Sequence, residues 1–154
     1  MVKQLTIHNR EGEPVHGWNI ERHVGVGAPN DPADVQLVQF GYLMMGRNPR
    51  LVKTPEEMAL FNAVKVGAPC TGREDDPLVK LIRHAQKRRG GTQDGKVSPI
   101  KTASGDYDSA HSYILTNLNA HSQSMMPKIY PRIDQHPDCP FLLKNLIEAS
   151  YIVS

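Results

Sequence analysis

Asn30-Asp31-Pro32-Ala33-Asp34-Val35-Gln36-Leu37-Val38-Gln39-Phe40-Gly41-Tyr42-Leu43-Met44-Met45-Gly46 is the stretch whose reading decides the fold. Asn30 or Asp31 can offer a side-chain oxygen to the first free amides of a helix, and Pro32 in the first turn removes a donor that would lack a partner. Val35, Val38, Tyr42 and Met45 then recur at helical spacing, widened by Leu37, Phe40 and Leu43 into a broad apolar face. Gly46 is expected to end the helix.

The same punctuation recurs downstream. Thr54-Pro55-Glu56-Glu57 reads as a capping box, in which the threonine hydroxyl accepts from the third-residue amide and Glu57 reaches back; it predicts a short helix to about Val64. Asp75-Asp76-Pro77 places acidic residues at the positive end of another helix, with Leu78, Leu81, Ile82 and Ala85 as its apolar stripe. Lys80, Arg83, Lys87, Arg88 and Arg89 occupy its other faces and its C-terminal end, and Gly90-Gly91 stops it. Asp94-Gly95 signals a tight turn, followed by Val97 and Pro99 in an extended bend. A longer helix is predicted from near Asp106 or Asp108 to about Ser122, with Tyr107, Ala110, Ile114, Leu118 and His121 on one side. Pro127, Pro131 and Pro137 cut the chain into a connector. The last helix begins at Asp138 to Pro140 and carries Phe141, Leu142, Leu143, Leu146, Ile147 and Tyr151, an apolar set expected to dock on the other helices.

Upstream, Leu5 and Ile7 alternate with polar neighbours, Asn9 to Pro14 supplies turn residues and Val15 to Ile20 returns, which predicts a short β-hairpin. Trp18 is expected to seal one end of the core. The fold class is therefore mainly α: a bundle of about five helices with a short N-terminal hairpin. One domain spans 1–154, divided into the hairpin (1–24), a core (25–120) and a C-terminal connector and helix (121–154).

Composition bounds the function. The 154 residues are 39% hydrophobic and only 6% aromatic, so the core rests on Leu, Ile, Val and Met. Eighteen basic residues against 16 acidic ones leave a formal charge of +2, too mild to demand nucleic acid. Met1 to Arg10 lacks the apolar run of a secretory leader and no stretch is long enough to span a membrane, so the expected location is cytoplasmic, or outside by a leaderless route. Cys70 and Cys139 form no CxxC pair and are expected as two free buried thiols.

Chemical motifs are sparse. Gly25-Val26-Gly27 lacks the third glycine of a dinucleotide fingerprint and the Gly-Lys-Ser/Thr ending of a phosphate loop. Asp106, Asp108 and His111 are the nearest approach to a metal set, within about one helical turn, but aspartates at a helix start are ordinary caps. Cys70 has no local base, and the acidic residues Glu56, Glu57, Glu74, Asp75 and Asp76 read as helix starts instead of a glycosidase pair. No enzyme and no cofactor is predicted. The basic cluster from Lys80 to Arg89, with Lys96 and Lys101, can receive an acidic partner or serve simply as a solvated helix end.

Three stretches, in order, resemble the peptidoglycan-binding-like domain superfamily. Asn30 to Gln39 with Leu43 is similar to the family's first helix, Asp-Val-x-x-hydrophobic-Gln-x-x-Leu. Gly67-Ala68-Pro69-Cys70-Thr71-Gly72 followed by Leu81-Ile82-Arg83-His84-Ala85-Gln86 resembles its Gly-Pro-x-Thr loop and Ile-x-x-Phe-Gln helix, with Ala85 where an aromatic is usual. Asp94-Gly95-Lys96-Val97-Ser98-Pro99 and Tyr113 to Asn119 resemble its Asp-Gly-x-Val-x-Pro and Leu-Asn elements. The resemblance implies a small helical fold and a noncatalytic module for a glycan-peptide ligand. Its groove would lie between the helices from Asp34 and Asp76, rimmed by Gly67–Gly72 and Gln93–Pro99, with Thr71, Arg83, Gln86, Asp94, Lys96, Tyr113 and Asn117 as contacts. The alternative is a protein-interaction module, an adaptor, accessory or immunity-type protein of a bacterial or phage secretion or toxin system.

Overall fold

The computed structural model describes residues 2–8, 11–100 and 114–152. The described elements run β1 (Lys3–His8), β2 (Pro14–Asn19), β3 (Val24–Gly25), α1 (Pro32–Arg47), α2 (Pro55–Ala63), α3 (Pro77–Arg89), β4 (Lys96–Val97), α4 (Ile114–Met125) and α5 (Phe141–Ile152), with a 3-10 turn at Ile133–Gln135 before α5. The mainly α architecture with its N-terminal hairpin is as the sequence predicts. β1 and β2 pair antiparallel, Lys3 opposite Asn19 and Leu5 opposite Gly17.

α1 is the central element. It packs against α2, α4 and α5, and Val35, Leu37, Val38, Phe40, Tyr42, Met44 and Met45 are all buried along it. Its apolar residues lie on nearly every side because several helices cover it. α2 rests on both α1 and α3, α4 lies on α1 and on β2, and α5 lies on α1 and the 3-10 turn. Gly41 permits the close α1–α4 approach, since a Cβ there would fall 2.8 Å from the Cβ of Leu118.

Several expectations need correction. α1 does not stop at Gly46; it continues through Arg47, and Gly46 serves as the flat spot against which the Phe61 ring packs. Asp31 is positionally the N-cap, but its side chain makes no cap bond and is instead held by Arg22 through two hydrogen bonds of 2.9 and 2.8 Å. The Lys96-Val97 segment is not merely an extended bend: it pairs antiparallel with Val24-Gly25 as a second, two-residue ladder. α4 runs on to Met125, past Ser122, and its expected start at Asp106 or Asp108 lies outside the described residues.

The capping predictions at α2 and α3 are realised atom by atom. Glu57 N donates to Thr54 Oγ1 and Thr54 N to Glu57 Oε1, both at 3.2 Å. Asp76 Oδ1 accepts from Leu78 N at 2.8 Å, and Gly90 closes α3 with φ 79°. Trp18 is buried as expected, its Nε1 donating to Pro131 O at 2.7 Å and its ring meeting Tyr151 edge-on.

Candidate functional site

Five of the predicted contact residues converge on one polar junction. Its frame is backbone: Val26 N donates to Gly95 O at 3.0 Å and Gly27 N to Gly72 O at 3.1 Å, so three separate loops are joined through glycines. Gly25, at φ 130°, has to be glycine, because a Cβ there would sit 2.0 Å from Gly95 O. Asn30 adopts a left-handed φ of 52° and stitches this loop to itself, accepting from Gly25 N at 2.7 Å while donating to Gly25 O and Ala28 O. The Gly25-Val26-Gly27 glycines therefore serve strand crossing, and the Val26 and Gly27 amides that an anion would need already have partners.

Gln86 is the hub. Its side chain is buried on α3; Nε2 donates to Asp94 Oδ1 at 2.9 Å and Lys96 O at 3.1 Å, while Oε1 accepts from Gly95 N at 2.8 Å. Asp94 Oδ1 also accepts from Lys96 N at 3.0 Å, closing the turn on itself. Arg83 covers Gly95, gripping both carboxylate oxygens of Glu74 and donating to Gln93 O at 2.9 Å. That grip holds the Glu74 carboxyl below its ordinary pKa.

Thr71 belongs to the same region through Asp76: its amide and its hydroxyl both donate to Asp76 Oδ2, at 2.8 and 3.1 Å, and its Oγ1 accepts from Arg73 N. Lys96 is the exception in the set. Among the described residues its ammonium has no partner. Asn117 is exposed on α4, a helix that packs on α1 and β2, so it is not one of the junction residues. Tyr113, Asp106, Asp108 and His111 lie outside the described residues.

The amide latch is a repeated device. Gln39 on α1 donates to Ala68 O at 2.8 Å and accepts from Gly67 N at 2.9 Å, pinning the 67–72 loop to α1. Asn119 on α4 is bonded in both directions to the Trp18 backbone. Gln36 Oε1 accepts from Leu143 N at 2.9 Å, tying α5 to α1. Gln36, Gln39, Gln86 and Asn119 each satisfy backbone groups that burial would otherwise leave without water.

Titratable groups elsewhere are similarly absorbed. Glu57 accepts from His84 Nε2 at 3.1 Å, Arg88 Nη1 at 2.7 Å and Thr54 N, and these bonds, His84 first, hold its carboxyl at about 2. Asp34 is fully buried, accepting from Glu21 N and Arg22 N at 3.1 Å each; burial outweighs those bonds and raises its pKa. Both cysteines are free: Cys70 is half-buried and Cys139 buried, and burial pushes the Cys70 thiol up and the Cys139 thiol to about 12. Neither is poised as a nucleophile. Among the described residues no group of three His, Cys, Asp or Glu side chains is placed to hold a metal ion, and no helix is long and apolar enough to cross a membrane.

What the sequence reading missed is the outer face of α5. Only Leu143 and Ile147 of that helix are fully buried, whereas Phe141 is 79% exposed, Ile152 77% and Leu142 37%. The expected docking of Phe141 on the bundle does not occur, and that of Leu142 is only partial. The signal was present in Phe141-Leu142-Leu143, since three successive residues point about 100° apart on a helix and cannot share one face. Comparison of the chain with protein-family models, with curated proteins and with solved structures gave no match.

Proposed function

We propose that this chain is a noncatalytic protein-interaction module that docks through the outer face of α5. The observation that carries the reading is the pairing of Phe141 and Ile152, about three helical turns apart and both more than three-quarters exposed, with Leu142 and Ala149 beside them. Large apolar side chains exposed at both ends of one helix face are what a partner protein covers when it binds along that helix.

The glycan-peptide reading that the family resemblance implies draws less support from the geometry. Thr71, Arg83, Gln86 and Asp94 already spend their hydrogen bonds on Asp76, Glu74, Gln93, Lys96 and one another. A sugar hydroxyl that displaced the partners of Gln86, the buried member of the four, would leave that amide unpaired at a cost of about 1–3 kcal/mol.

Co-sedimentation with purified, insoluble peptidoglycan at physiological salt separates the two. The interaction reading expects the protein in the supernatant, for the wild type and for a Phe141→Glu/Ile152→Glu variant alike. Retention in the pellet that is lost on changing Lys96 and Asn117, and unaffected by changing Phe141, would replace it with the glycan reading.

A further inference from the structure

We propose that the occupant of the α5 face is the same face of a second copy of this chain, the two helices lying antiparallel about a twofold axis. The inference rests on reading α5 as the docking surface and adds the partner.

A twofold contact has to be self-complementary: if residue i meets j, then j meets i. The α5 face meets that condition in one orientation. Setting Phe141 opposite Ile152 of the second copy sets Asn145 opposite Glu148, and both relations repeat on the other side of the axis. The large exposed side chains at each end of α5 then cover each other, and an amide faces a carboxylate at the centre. On the flank, Lys144 lies one residue out of register from the second copy's Glu148, within reach of two long side chains, and the pair occurs twice. Both residues are exposed. On the opposite flank Leu142 lies two residues out of register from the second copy's Ala149.

The parallel alternative lacks this complementarity: it would set Glu148 beside Glu148 at the centre of the contact and turn each Lys144 toward the second copy's Leu142–Ala149 flank, away from a carboxylate partner. The buried side of α5 is unaffected by either arrangement, because Leu143 and Ile147 face α1 and the 3-10 turn. Glu148 also lies within electrostatic range of Arg132, and Lys144 of Cys139, so the flank carries charge of both signs on each copy.

A single 12-residue helix is a small footprint, so the contact belongs with the weak interfaces below the standard size. Sedimentation velocity of the full chain over about a hundredfold range of concentration, micromolar upward, tests it. The expected result is a reversible rise in mean mass from 17.2 kDa toward twice that value, abolished by Phe141→Glu/Ile152→Glu with an unchanged far-ultraviolet spectrum. Lys144→Glu alone should weaken association at least several-fold, and adding Glu148→Lys should restore it, with the far-ultraviolet spectrum and unfolding midpoint unchanged throughout, which excludes the i,i+4 pair within α5 as the cause. A chain that stays monomeric throughout, or a dimer that the Phe141/Ile152 variant leaves intact, overturns the inference. Failure here leaves the wider reading open to its own test, since peptidoglycan retention is read from a different assay and different residues.

Discussion

Asn119 and Trp18 stand 101 positions apart and are bonded in both directions: Trp18 N donates to Asn119 Oδ1 and Asn119 Nδ2 donates to Trp18 O, each at 2.9 Å. The amide thus extends the hairpin ladder sideways into α4, and Gly17, whose Cβ would fall 3.0 Å from the amide carbon, leaves the room for it. Tyr130 OH completes the cluster by donating to His16 O at 2.7 Å. Asn119→Ala is expected to cost about 2–3 kcal/mol, because the Trp18 backbone groups stay buried without partners. Asn117→Ala, two residues away on the exposed side, should change stability by less than about 0.5 kcal/mol. Urea unfolding of both variants checks the contrast.

Gln86 acts on the turn as Asn119 acts on the hairpin. Gln86→Leu keeps the bulk but removes the bonds to Asp94, Gly95 and Lys96. A loss of about 1–3 kcal/mol is expected, with amide hydrogen exchange at Gly95 accelerating more than exchange in α5. Gln86→Glu should be worse at neutral pH than at acidic pH, since it places a carboxylate against Asp94 and the Lys96 carbonyl. Equal loss at both pH values would remove the electrostatic part of this account.

Much of this fold is legible in the sequence because its helix starts are written in local chemistry. The box at Thr54 to Glu57 and the Asp76-Pro77 start need nothing outside their own turn, and both appear as read. The end of α1 was misread because Gly46 is a packing glycine: its reason for being there is Phe61, on another helix. The β3–β4 ladder was illegible for the same reason, since two-residue strands have no periodicity and exist because Gly25 can approach Gly95. At the candidate site, Arg83, Gln86, Asp94 and Lys96, named together from the sequence, lie near one another in the fold. The sequence could not reveal that Gln86 spends its hydrogen bonds on Asp94 and the local backbone, or that Arg83 is held mainly by Glu74.

Gly41 and Gly46 should therefore answer differently to the same change. Gly41→Ala drives a Cβ into Leu118 at 2.8 Å across the α1–α4 contact, and a loss of about 1–3 kcal/mol is expected. Gly46→Ala meets only the partly exposed Phe61 side chain at 3.1–3.2 Å, while gaining helix propensity, so a change of about 1 kcal/mol or less is expected. Thermal unfolding distinguishes them, and equal losses would contradict the close-approach argument.

Glu57 gives the protein a specific acid response. Its carboxyl sits at about 2 in the folded chain against an ordinary 4.5, so its contribution is fully present above about 4.5 and is lost as pH falls toward 2. Glu57→Gln should be less stable than the wild type at neutral pH, and its stability should fall less steeply across that acid window. Denaturant midpoints measured from about pH 6 downward read this directly; parallel curves for the two proteins would show that the His84 and Arg88 bonds contribute nothing.

The central claim is a division of labour: the junction around Gln86 holds the fold, and the outer face of α5 meets the partner. A two-dimensional amide spectrum of the isotope-labelled chain tests both halves, recorded during dilution and again with soluble glycan-peptide fragments added. The account predicts concentration-dependent shifts confined to the exposed positions of Phe141–Ile152, with Thr71, Gly95 and Lys96 unmoved by the fragments. Saturable shifts at Thr71, Gly95 and Lys96 with α5 silent would contradict it.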